Sequence, residues 1–337
     1  MKIPVEYVAA IERLGYTAEE ARFLYIVATF SGYFVPRQFI AFTGAAHWGS
    51  RSRSFTRKVV SRGHANWREY PHLDGVYHLW SKLLYRLIDK ENLRNRRRHS
   101  PDFIRTRLVA LDFILANQHY EYLETEADRV RYFREELGLA ERVLPAREFG
   151  GASRSEPAIR YFVDQFPMYF DSCGGSSTSR VTFTYIDPGH ASLVGFLHHL
   201  DAYERLLASL LAFGFAYVSN SSAHFVGAEQ RFRSFVERAL RDDTTASLRR
   251  YFTLRVQWDA KRFAELSADE VESLELLSQR FKGPDVEGLY SAWCAGQRFS
   301  EELGGFLGKT HRTHDICFEC RLVSTGRVVT KDLELTG

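Results

Sequence analysis

The sequence predicts a mixed α/β protein in three parts: a winged helix-turn-helix over residues 1–100, a helical connector over 101–150 and an α/β body over 151–337. Three observations predict this. Residues 17–80 pass through two apolar-periodic helices, an arginine-rich third helix and a short β-hairpin. From about residue 157, aromatic and β-branched runs alternate with helix-periodic ones, as in an α/β layer. The charge is also split. Residues 1–107 carry 19 Lys and Arg against 9 Asp and Glu, net +10, while the remainder carries 26 against 33, net −7.

The first helix begins at a capping box, Thr17 with Glu20, and buries Phe23, Leu24, Ile26, Val27 and Phe30. Gly32 ends it. Pro36 suits the first turn of a second helix, where its missing N–H costs nothing; Phe39, Ile40 and Phe42 face inward and Gly44 stops it. A third helix spans 50–62, with Phe55, Val59 and Val60 inside and Arg51, Arg53, Ser54, Arg57 and Lys58 outside, and Arg62 near its end. In helix-turn-helix proteins the second motif helix enters the major groove, where arginine pairs with guanine through two hydrogen bonds. Wing strands are expected at 65–70 and 76–80, with Pro71, Asp74 and Gly75 in the turn and Arg68 and His72 placed to contact the sugar-phosphate backbone or the minor groove. His64, His72 and His78 read as structural histidines, because their spacing suits no metal site. Arg94, Arg96, Arg97 and Arg98 form the densest basic run and read as a phosphate clamp beside the wing.

The remaining chain gives helices over 102–140, one or two strands in AIRYFVDQFPMYFD, a central strand at 180–187, a strong amphipathic helix in SLVGFLHHLDAYERLLASLLAF, a strand at 215–221 and a helix in AEQRFRSFVERAL. Strand–helix–strand alternation implies a partly parallel sheet.

The winged segment, the RNRRRH run and the FTYIDPG, HLDAYERLL and FAYVSNS blocks together resemble the replication-relaxation family over roughly residues 15–240. The resemblance implies a winged-helix head before an α/β domain of degenerate restriction-endonuclease-like fold, and DNA transactions on plasmids and other mobile elements. An active nuclease of that type would hold Mg²⁺ between carboxylates on adjacent strands beside a lysine. Asp164 and Asp187 are the candidate pair. Asp187 is followed by Pro188, Gly189 and His190, and Tyr185 stands where a second acid would be. The lysine is missing.

His311, His314, Cys317 and Cys320 are zinc-ligand types, but four ligands within ten residues rarely close a tetrahedron, so buried thiols are the default. No phosphate loop or dinucleotide fingerprint occurs. His198 and His199, as helix neighbours, point in different directions. No apolar run approaches the ~20 residues of a membrane span. The first residues lack a signal-peptide core, and four cysteines make no secreted disulfide framework, which points to the cytoplasm.

The expected function is sequence-specific binding of double-stranded DNA, in transcriptional or replication and transfer control on a mobile element or in a defence system, without cofactor. A homodimer fits the two half-sites such readers use, and the acidic body offers a surface to a protein partner. The alternatives are an Mg²⁺-dependent nuclease or nickase using Asp164 and Asp187, and a protein-interaction adaptor.

Overall fold

The computed structural model describes residues 1–44, 50–70, 73–149, 158–170, 180–189, 192–296, 303, 306, 315–323 and 328–330. Helix α1 (Val5–Glu12) leads into α2 (Ala18–Phe30), which starts at the expected capping box. The Glu20 N–H donates to the Thr17 hydroxyl and the Thr17 N–H to the Glu20 carboxylate, so two amides left open by the helix start are satisfied. Every residue from Phe23 to Phe30 is buried, so α2 is enclosed all round instead of on one stripe.

A two-residue strand, β1 (Tyr33–Phe34), precedes α3 (Pro36–Thr43) and α4 (Ser50–Ser61). The sequence pattern does not predict β1. The inner side of α4 is Ser52, Phe55, Thr56 and Val59; Val60, expected inside, is 40% exposed because its neighbour Val59 takes the inward position. Strands β2 (Ala65–Tyr70) and β3 (Leu73–Leu79) form an antiparallel hairpin, and β1 pairs with β3 to give a sheet of order β1-β3-β2. The expected wing turn is corrected here. Asp74 and Gly75 belong to β3, and Pro71 and His72 lie outside the described residues. At Gly75 a Cβ would stand 2.1 Å from Trp67 Nε1 across the hairpin, so a larger residue there would displace that half-exposed indole.

Helix α5 (Lys82–Leu87) is followed by a 3₁₀ turn at Arg94–Arg96 and by α6 (Pro101–Ala116), capped by the Ser100 hydroxyl. Then come β4 (Glu121–Tyr122), α7 (Glu126–Arg131) with a π turn at Tyr132–Glu136, and an antiparallel pair, β5 (Ala146–Phe149) and β6 (Ala158–Tyr161). The sheet proper is built from β7 (Met168–Phe170), β8 (Val181–Asp187), α8 (Leu193–Ala208) and β9 (Ala212–Ser219). Helices α9 (Phe225–Asp259), α10 (Ala268–Arg280) and α11 (Pro284–Ala295) precede β10 (Asp315–Val323) and β11 (Val328–Thr330). The six strands lie in the order β11-β10-β9-β8-β7-β4. The expected central strand is fully buried, and β8 and β9 are parallel, joined through α8. Such a connection needs a crossover helix, because parallel strands cannot be joined by a tight turn. The chain is thus a mixed helix-and-sheet protein.

Two compact units divide it. One comprises Met1–Tyr203, Ala212–Gln230 and Ile316–Gly337; the other comprises Glu204–Leu211 and Arg231–Asp315. In the first, one apolar cluster runs from Ile11 and Phe23 through Phe113 on α6 to Tyr169, Ile186, Val218 and Val323. No core boundary therefore falls at residue 100 or 150. Helix α6 explains this. It is apolar on both sides, and packs against α2, α3 and β1 as well as β8 and β9. The second unit has its own core of Leu248, Phe252, Leu274, Phe281, Val286 and Leu289. Its described residues between 231 and 296 form helices and the turns that join them, with no strand, which corrects the expectation of an α/β body reaching to 337. Apolar residues recur there at helical spacing, Leu248 with Phe252 and Val286 with Leu289.

Candidate nucleic-acid interface and a second polar cleft

Helix α4 is fixed from within. Phe55 stacks on Phe39 at 4.0 Å between ring centroids and meets Phe23 edge-on at 5.7 Å. That anchoring turns Arg53, Ser54 and Arg57 outward, and all three are exposed. Among the described residues no acidic side chain pairs with either arginine. Two other expected contacts are already engaged. Arg51 donates to Glu19 at 2.6 Å, and Lys58 donates to Glu20 at 2.7 and 2.9 Å. Arg62 is exposed and lies 5.4 Å from the Tyr16 ring. Arg68 is exposed on β2, opposite Val76. His64 shares a 2.6 Å hydrogen bond with the Tyr16 hydroxyl. His78 stacks on Tyr33 and contacts the Asn95 carbonyl; burial lowers its pKa to about 4. Both are structural histidines.

The basic run does not act as one surface. Asn95, at its centre, is buried, and its amide donates to the Ala28 and Thr29 carbonyls at 3.1 and 2.8 Å. These carbonyls lie in the last turn of α2, where helix acceptors are left open. Pinning Asn95 draws its neighbours inward. The Arg94 guanidinium sits 4.7 Å above the Phe149 ring, and Arg96 Nε is buried without a hydrogen-bond partner. Only Arg97 and Arg98 of the expected clamp are exposed.

Asp164 and Asp187 belong to separate hydrogen-bond sets. Asp187, at the end of β8, accepts from the Tyr217 hydroxyl at 2.6 Å and the Gly189 N–H at 2.8 Å. Asp164 lies in the loop between β6 and β7. It accepts from the Tyr203 hydroxyl at 3.1 Å and the Phe166 N–H at 3.2 Å, and stands 3.0 Å from His199 Nδ1. Burial alone would raise this carboxyl; the His199 charge and hydrogen bond, the Phe166 amide and Arg129 together bring it below its ordinary range. The loop is clamped by buried Arg107, which donates to the Asp164 and Gln165 carbonyls at 3.1 and 3.0 Å. Phe162 and Gln165 hold left-handed backbone, at φ 49° and 53°, a conformation that survives only where its surroundings over-determine it.

This loop, α6 and α8 line a cleft of about 510 Å³. Arg94, Arg107, Arg147, His99, His198 and His199 face it, and Asp164 is the one carboxylate among the described lining residues. Contrary to the expectation for adjacent helix residues, His198 and His199 meet the same cleft, His199 from the buried floor and His198 from the exposed rim. Nothing in the sequence pattern singles out Asp164 with His199, because 35 positions separate them.

Cys317 and Cys320 lie on β10, three positions apart and so on opposite faces. Burial raises the Cys320 thiol to about 12, and Cys320 approaches the Phe225 carbonyl at 3.7 Å. His311 and His314 fall outside the described residues. Among the described residues no helix is long and apolar enough to cross a membrane. Neither the family models, the curated proteins nor the solved structures contain a match to this chain.

Proposed function

We propose that the protein binds duplex DNA sequence-specifically through the outer face of α4, as a factor in transcriptional or replication control. One observation carries the reading: Arg53, Ser54 and Arg57 project from a helix whose opposite side is locked by Phe55 and Val59. Preorganised arginines of this kind read guanine in the major groove. The order α2, β1, α3, α4, β2, β3 with the sheet β1-β3-β2 also matches a winged helix-turn-helix. Arg68 on the hairpin, with Arg62, would add phosphate contacts. Arg51 and Lys58 already have carboxylate partners and count for less.

The test is selection from a random duplex pool, then affinity for the recovered site across salt concentrations. Each bidentate arginine–guanine pair discriminates by about 1–3 kcal/mol. The Arg53→Ala, Arg57→Ala double variant should therefore lose at least roughly thirtyfold in specific affinity. Unchanged affinity in a folded double variant would refute α4 as the reading helix.

A further inference from the structure

The cleft between α6, α8 and the 162–166 loop is built for an anion. Its walls are strongly cationic, and its single described carboxylate, Asp164, is already committed to His199 and Tyr203. Two buried groups facing it are unsatisfied. His199 is 8% exposed and Arg107 is 2% exposed, yet His199 Nε2 and Arg107 Nε have no hydrogen-bond partner. A buried polar group left unpaired is costly, so a ligand oxygen that satisfies either is strongly favoured.

We propose that this cleft binds a small phosphorylated molecule. Asp164 accepts from Nδ1 of His199 and so orients the ring, leaving Nε2 for the ligand. In the imidazolium form Nε2–H donates to a phosphate oxygen while Nδ1–H stays on Asp164. Arg147, exposed on β5, adds a further charge to the lining. Several charged donors lining one cleft suit a phosphate, with its three acceptor oxygens, and charge-assisted bonds of this kind are about twice as strong as neutral ones. The volume lies within the range of ~300–1,000 Å³ that holds small ligands. Of its lining only Arg94 belongs to the basic run expected to clamp DNA phosphates, and the DNA reading proposed above does not use it, so the site stands or falls independently of that reading.

Calorimetric titration of the full chain with inorganic phosphate, AMP and adenosine tests the proposal. Phosphate and AMP should bind and adenosine should not. Arg147→Ala, at the exposed rim, and His199→Gln should each weaken AMP at least tenfold. The Arg53→Ala, Arg57→Ala variant should bind AMP as the natural chain does. Should His199→Gln fail to fold, Arg147→Ala decides alone. No binding of millimolar phosphate or AMP, adenosine binding as tightly as AMP, or loss confined to the α4 variant would each overturn it.

Discussion

Gly32 shows how much one position can hold. It follows α2 with φ +76°, its N–H donates to the Val27 carbonyl, and its own carbonyl accepts the Leu79 N–H. A Cβ there would lie 2.2 Å from the Asn95 carbonyl oxygen. Gly44 has a similar φ, +64°, with no atom of the described residues within 4 Å of a Cβ placed there. Alanine at Gly44 should cost only the left-handed penalty of roughly 1–2 kcal/mol. Alanine at Gly32 should cost that plus an overpacking term of about 1–3 kcal/mol. Urea denaturation of the two variants measures the difference, and equal losses would show that the Asn95 contact yields without cost. Residues of this kind are half legible in sequence. A glycine after an apolar-periodic run marks a helix end, and Thr17 with Glu20 marks a start. Asn95 inside a run of arginines signals nothing, because its burial depends on carbonyls more than sixty residues upstream.

Among elements, α4 is the most constrained. Phe55 is wholly buried against Phe23, Phe34 and Phe39. Phe55→Ala should destabilise by about 3–5 kcal/mol, the usual cost of emptying an aromatic site. Val60→Ala, on the exposed side of the same helix, should change stability by no more than ~0.5 kcal/mol. Comparable losses in the two would mean that α4 is rotated from the orientation described. Helical spacing gave Phe55 and Val59 correctly and misplaced Val60, since the adjacent Val59 and Val60 lie about 100° apart on the helix and cannot share one narrow stripe. The strands β8 and β9 were legible as β-branched and aromatic runs, whereas β1, only two residues long, takes its identity from the partner β3. The Asp164–His199 pair escaped for the same reason. A loop carboxylate and a helix imidazole become one site only when the sheet brings them together.

At the scale of the whole chain, a division into two units that each hold apolar core residues implies non-two-state unfolding. Calorimetry of the full protein should give a calorimetric enthalpy exceeding the van't Hoff value. Leu274→Ala, in the second unit's core, should lower one transition and leave the other in place. A single two-state transition shifted by that variant would show that the units unfold together. The split of charge was readable from the positions of the charged residues, and the alternation of helix and strand from local periodicity. The division into units was not, because the helical unit interrupts the sheet between β9 and β10, and local periodicity says nothing about which distant segments return to pair.

That interruption bears on how the molecule is made. On one side β9 pairs with β8, its near predecessor, but its other neighbour, β10, follows roughly a hundred residues later. While the polypeptide emerges from the ribosome, the freshly made β9 carries a bare edge of unpaired amides and carbonyls, and the cluster begun at Ile11 still lacks Val323. An unpaired strand edge is a template for mispairing with other chains. The nascent protein thus passes through a long window of vulnerability that closes only when residues 315–323 dock, and it is in that window, rather than in the finished fold, that chaperone protection matters most.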